Sequence, residues 1–244
     1  MSAGAIIAIT VGGVVVVAAL IVWLVVWLRK SYNAQQTASL GRLQEESVNR
    51  GWRYEERNDS YAAVFNAQNE FAVQSPLQVL NPLNPYHLAP KAVDAKEVVT
   101  GTHRGRPFIA ALFGVHHRNE YSQIRAIWVR TPAARPALTV SAALRAQSRV
   151  RASIGQQDLQ LGNPDFDERF EVSAGDDRFA QAVLNPRMIQ FLLADQRAPR
   201  GFMLLGDQLD VLDPVSDHRD PAELIPALDY RCDLLDLIPP SVWQ

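Results

Sequence analysis

From Ala3 to Leu28 the apolar positions follow one another without a period, and no Asp, Glu, Lys, Arg or His interrupts them between Ser2 and Leu28. A run of this kind predicts one N-terminal transmembrane helix over residues 3–28, since about 20 residues rising about 1.5 Å each cross a hydrocarbon core of about 30 Å. Trp23 and Trp27 stand near its C-terminal end, where interfacial aromatic residues collect. A cleaved signal peptide is disfavoured: no Lys or Arg precedes the run, the run exceeds an ordinary signal core, and no small-x-small cleavage site follows it. Arg29 and Lys30 follow directly, so the positive-inside rule places the N-terminus outside and the remaining chain in the cytoplasm.

Beyond Lys30 the pattern breaks into short periodic segments. Residues 31–50 are polar with sparse apolar positions at Leu40, Leu43 and Val48, which predicts a juxtamembrane helix or linker with a narrow docking stripe, closed by Gly51 as a left-handed cap. Trp52 and Tyr54 alternate with Arg53 and Glu55 as in a short strand, and Asn58 to Ser60 cap a helix over Tyr61 to Phe65. The prolines at 76, 82, 85 and 90 predict an extended excursion over residues 75–90. Glu97 to His103 and Arg106 to His116 flank Arg104-Gly105 as the arms of a hairpin, and Phe108 to Val115, apolar on both faces, reads as a central strand. Gln123 to Arg130 makes a third strand that Thr131-Pro132 should stop.

Two helices are expected to open at Asp176 and at Asn185-Pro186, carrying Phe179 and Val183, and Met188, Ile189, Leu192 and Leu193. A second hairpin is expected over Gly201 to Leu212 with Gly206-Asp207 in its turn. The last helix starts at Asp220-Pro221, with Glu223 suggesting a capping box and Leu224, Leu228, Cys232 and Leu235 on one face. Pro226 implies either a kink or a later start. Strands early and helices late predict an α+β domain over residues 51–244, with a mainly antiparallel sheet and helices packed on it.

Composition adds little chemistry. With one cysteine, Cys232, no intramolecular disulfide can form, and its place on the apolar face of the last helix makes it core rather than nucleophile. His103, His116 and His117 do not make a metal set, because neighbours on a strand point to opposite faces and His103 lies about ten strand positions, roughly 33 Å, from His116. Asp165, Asp167 and Glu168 are candidates for a hard cation, but they lack the loop and glycine of a calcium hand, and a turn with a helix cap explains them better. No phosphate loop, nucleophile elbow or dinucleotide fingerprint is present, so no catalytic, cofactor-binding or metal residue is assigned.

Charge is unevenly placed. Residues 101–151 hold nine arginines against Glu120, whereas the chain from Asp158 onward holds seventeen acids against seven arginines. Either the basic third, including Arg145, Arg149 and Arg151, faces anionic lipid, or it pairs internally with the acidic third, and internal pairing is the expectation. Gly4, Ala8 and Gly12 form a small-residue stripe that weakly favours a homodimer.

The segments Gly51-Trp52-Arg53-Tyr54, Val98 to Phe108, Phe166 to Val172, Asp176 to Ala180, Leu184 to Met188 and Leu237-Ile238-Pro239-Pro240 resemble a group of bacterial, actinobacterial-type single-span membrane proteins of unknown function. The later block also resembles a wider bacterial domain of unknown function. The resemblance implies an envelope protein with a cytosolic domain and carries no site residues. The resulting expectation is a membrane-anchored, non-enzymatic interaction module with a protein partner, without cofactor or nucleic acid. The alternative is a membrane-associated enzyme holding an anionic substrate with His103, Arg104 and Arg106.

Overall fold

The computed structural model describes residues 20–24, 26, 27, 30, 37–68, 90–117, 120–143, 159–195 and 201–244. Among them no helix is long and apolar enough to cross a membrane. Most of the expected 3–28 span, and the proline-rich excursion up to residue 89, lie outside the described residues. Residues 20–24, 26 and 27 are helical.

Helix α1 (residues 37–50) buries Ser39, Leu43 and Ser47, which recur every four residues along one face. The stripe expected through Val48 is therefore corrected: Val48 is 84% exposed, one step off the face that Leu43 defines. Gly51 closes the helix at φ +67. Strand β1 (Arg53–Arg57) then leads into a short 3-10 turn capped by Asn58 and into α2 (Ala62–Gln68).

Strands β2 (Lys91–His103) and β3 (Arg106–His117) form the expected hairpin. Arg104 (φ +49) and Gly105 (φ +79) both take the left-handed region, as a two-residue turn that follows the strand twist demands. Gly101 on β2 leaves room for the Trp52 indole to lie against the strand, where a Cβ would collide with the ring. Trp52 Nε1 donates to the Thr102 carbonyl at 3.1 Å and so fixes that approach.

Strand β4 (Glu120–Ala142) runs past Thr131-Pro132, so the expected stop there is corrected. The strand continues through the prolines with register shifts between Arg130 and Leu138, where it bends. Its first half pairs β3, and its last residues pair β5 (Phe170–Ala174). Strand β6 (Phe202–Val211) pairs β4, Leu209 with Val129 and Leu204 with Leu138. Leu212 N–H nevertheless donates to the Gly201 carbonyl at 2.9 Å. Ten extended residues would hold these ends roughly 30 Å apart. The strand therefore doubles back at Gly206 (φ +60), as the expected hairpin requires, and its two arms sit inside the bend of β4.

Every pairing in the sheet is antiparallel, in the order β1-β2-β3-β4-β5 with β6 beside β4. This is an α+β fold of the expected kind. One face carries the larger core, where Val99, Phe108, Ala110, Ile127 and Val129 meet α3 (Pro164–Arg169), α4 (Asp177–Val183), α5 (Pro186–Ala194) and α6 (Pro221–Leu237). The alternate residues Ala111, Phe113, Ala126 and Trp128 face the other way, toward α2. Phe65, Phe113 and Trp128 form an aromatic cluster there, with ring centroids 5.1 to 5.9 Å apart. A strand apolar on both sides is what a centre with layers on both faces needs.

Asn163, Asp176, Asn185 and Asp220 each cap a helix through a side-chain oxygen, and three of the four helices begin with proline. The capping box expected at Glu223 is corrected. Its carboxylate accepts from Ser216 N and Oγ and from Asp217 N, which ties the incoming loop rather than the cap residue. Helix α6 begins at Pro221 and carries Pro226 inside it.

Candidate functional site

The hairpin turn read as an anion clamp meets α6 instead. Arg104 donates to Asp233 and Asp236 at 2.6 Å each, and Arg106 to Asp236 at 2.7 Å. His103 Nε2 lies 2.8 Å from Asp229, with its ring buried edge-on to Trp52. Three carboxylates one helical turn apart along α6 thus engage the three basic residues of the turn. The arrangement holds the hairpin to the helix at a partly exposed surface, and the charges an anionic substrate would need are already engaged. Cys232 is buried beneath, Sγ directed at the His103 carbonyl, and burial pushes its thiol above the ordinary value. A protonated, enclosed thiol is a poor nucleophile.

The remaining arginines of the basic third divide similarly where they are described. Arg130 pairs with Asp207 at 2.8 Å, Arg135 donates to the Gln244 carbonyl, and Arg125 donates to the Val215 carbonyl and to His218. Of these three, Arg130 meets an acidic side chain, while Arg125 and Arg135 are held by backbone carbonyls and by His218. Arg118, Arg145, Arg149 and Arg151 lie outside the described residues. At the acidic turn Asn163 caps α3, and Asp167 accepts from Leu161 and Gly162 N–H at 3.1 Å each, the turn-and-cap use expected. Among the described residues no group of three His, Cys, Asp or Glu side chains is placed to hold a metal ion.

Two buried polar clusters escaped the sequence reading. Arg231 on α6 is 1% exposed and directs its N–H groups at Asp213, Asp210 and the carbonyls of Ile127, Ala227 and Val211. Asp210 also accepts from Trp128 Nε1 at 3.0 Å. Burial nevertheless pushes the Asp210 carboxyl above the usual range, against the pull of Arg231. The second cluster gathers around a bulge in β2, where Glu97 takes φ +53. Its carboxylate pairs with Arg219 at 2.9 Å and its carbonyl accepts from His218 Nε2 at 2.6 Å, while Arg125 donates to His218 Nδ1.

His218 is therefore held neutral, with one nitrogen donating and the other accepting. Burial lowers its pKa from 6.5 to about 4. Above pH 6.5 the folded and unfolded chains are both neutral at this residue. Below it the unfolded chain takes up a proton that the fold refuses until about pH 4. Stability should fall by up to about 3 kcal/mol as pH drops from 6.5 to 4, and denaturant midpoints across that range should fall less steeply in His218→Gln. Equal slopes for both proteins would contradict the neutral, buried assignment.

Two hollows lie beside α2 on its face of the sheet. One hollow of about 170 Å³ is lined by Phe65, Ile124, Trp128, Met203, Leu205 and Asp210. A more open one of about 490 Å³ runs along the other side of α2 over Pro107, Ile109 and Arg130. They share Gln68 and Gln208.

Comparison with protein-family models and with curated proteins gives no match. Among solved structures, the chain is similar to the mycobacterial trehalose monomycolate transport factor A, TtfA. The likeness covers 83% of this chain and 97% of that one, at 15% sequence identity and a TM-score of 0.45. At that level it assigns neither activity nor partner.

Proposed function

We propose that this chain is a membrane-anchored, non-enzymatic interaction module of the bacterial envelope, carried by a single N-terminal helix with its α+β domain in the cytoplasm. The observation that carries the reading is the end of the apolar run. Leu20, Ile21, Val22, Trp23, Leu24, Val26 and Trp27 are helical and all exposed, Trp23 by 63% and Trp27 by 53%. A helix apolar on every side needs apolar surroundings, which the folded domain does not supply to these residues and a bilayer would. Arg29 and Lys30 orient it. Against an enzymatic role stands the engagement of Arg104 and Arg106 by the carboxylates of α6. The domain acts by contact with a protein partner, and the Gly4, Ala8 and Gly12 stripe offers a route to a weak homodimer.

The test is topological. A reporter active only in the cytosol, fused after Gln244, should be active. Activity from a reporter that works only after export would overturn the orientation. Loss of the first thirty residues from the mature protein would overturn the anchor.

A further inference from the structure

Gln68, the last residue of α2, is 8% exposed, and its amide is only half engaged. Nε2 donates to the Val64 carbonyl at 3.3 Å, while the buried Oε1 has no hydrogen-bond partner among the described residues. Buried acceptors are nearly always paired, so this oxygen marks a place where a ligand's donor would gain a full hydrogen bond. Gln68 lines both of the hollows beside α2. The larger, of about 490 Å³, falls within the roughly 300–1,000 Å³ that small-molecule sites occupy, and the smaller, of about 170 Å³, has room for one ring-sized group.

The lining also selects a charge. Asp210 lines the smaller hollow with its oxygens already accepting from Arg231, Trp128 Nε1 and Val211 N–H, so what it adds is an acidic balance, since Arg231 is shared with Asp213, two acids to one base. Trp128 Nε1 is committed to Asp210, so the indole offers the hollow only its ring. Phe65 and Trp128 contribute aromatic rings to its lining, and an aromatic wall favours a cation over an anion. An anion would meet a carboxylate and an unmet carbonyl oxygen together.

We propose that this hollow binds a small amine with an apolar body, the body against Phe65, Ile124 and Met203 and the N–H donors offered to Gln68 Oε1 beside Asp210. The site stands apart from the anchoring proposal, since none of its residues belongs to the N-terminal helix. A dry cavity of comparable size is known to take a single aromatic ring, which sets the scale of a first probe.

Met203 lines the hollow and Met188 is fully buried in the opposite core, so methionine methyl resonances report the site with an internal control. The full chain in nanodiscs, labelled at methionine methyls, is titrated with benzylamine, benzyl alcohol and benzoate. Benzylamine should shift Met203 saturably and leave Met188 in place. Benzoate should bind about tenfold or more weakly, the factor for one hydrogen-bond-sized difference, with the alcohol between them. Gln68→Leu should weaken benzylamine by a similar factor without moving Met188. A Met203 resonance that does not saturate overturns the site. Benzoate or benzyl alcohol binding as tightly as the amine overturns its charge preference, and an unchanged affinity in Gln68→Leu overturns the role of Oε1. If that variant does not fold, the three ligands on the native chain decide the matter alone.

Discussion

Arg231→Met should lower the stability of the fragment beginning at Ser31 by about 3–5 kcal/mol, read as a fall in denaturant midpoint with unchanged slope. The guanidinium is enclosed, and it is the cation between Asp210 and Asp213. Removing it leaves two acids, one of them nearly buried, without their counter-charge, and leaves the Ile127 and Val211 carbonyls without its donors. The size of the effect comes from those stranded groups more than from the net worth of the ion pair. The triple variant Arg231→Met, Asp210→Asn, Asp213→Asn should therefore recover part of the loss, since neutral amides are less costly to bury. A single variant as stable as the native fragment would show that Arg231 is not enclosed. A triple variant weaker than the single one would show that the carboxylates are held by other partners.

Trp128→Ala should cost about 3–5 kcal/mol, as truncating a large buried aromatic does. The side chain stacks on Phe113 at 5.2 Å, meets Phe65 at 5.9 Å and donates to Asp210. Trp128→Phe separates these contributions. It keeps most of the packing and removes the donor to a charged acceptor, so a loss of about 1–3 kcal/mol is expected. Leu192→Ala, on the other side of the sheet and 1% exposed, should cost about 2–5 kcal/mol without affecting the α2 hollow. Unchanged midpoints for Trp128→Ala and Leu192→Ala together would mean that both core faces are misassigned.

Much of the fold was legible because its signals are local. Asn185-Pro186 and Asp176 start helices through their own side chains and the fixed φ of proline, and Gly105 and Gly206 turn hairpins because a left-handed residue is needed within two positions. Phe108 to Val115, apolar at nearly every position, announced a strand with layers on both sides. Where the reading went astray, a distant partner decided. Pro132 has the chemistry to end a strand, yet β4 bends there because the doubled β6 fills the bend and pairs both halves. Glu223 has the spacing of a capping box, but Ser216 reaches it first.

The candidate sites were less legible, and the reason is electrostatic. His103, Arg104 and Arg106 cluster in the sequence and drew a functional reading, although Asp229, Asp233 and Asp236, over a hundred positions later, engage them. Arg231 drew none, because a lone arginine in a helix reads as surface. Its spacing was informative, three residues after Leu228 and four before Leu235, which sets it on the buried face of α6. His218 and Arg219 had no such periodicity, lying in a loop.

The sequence by itself determined the α+β class, the helix starts at Asp176 and Asn185, the tight turns and the two-faced central strand, because each follows from the propensity and periodicity of residues within one or two turns of each other. Tertiary structure alone decided which charges are enclosed, that β6 nests within β4, and that a seven-residue helix leaves Gln68 and Asp210 beside open hollows on one face of the sheet. Those outcomes depend on desolvation and on pairing between segments far apart in the chain, and neither leaves a local mark on the residues that take part.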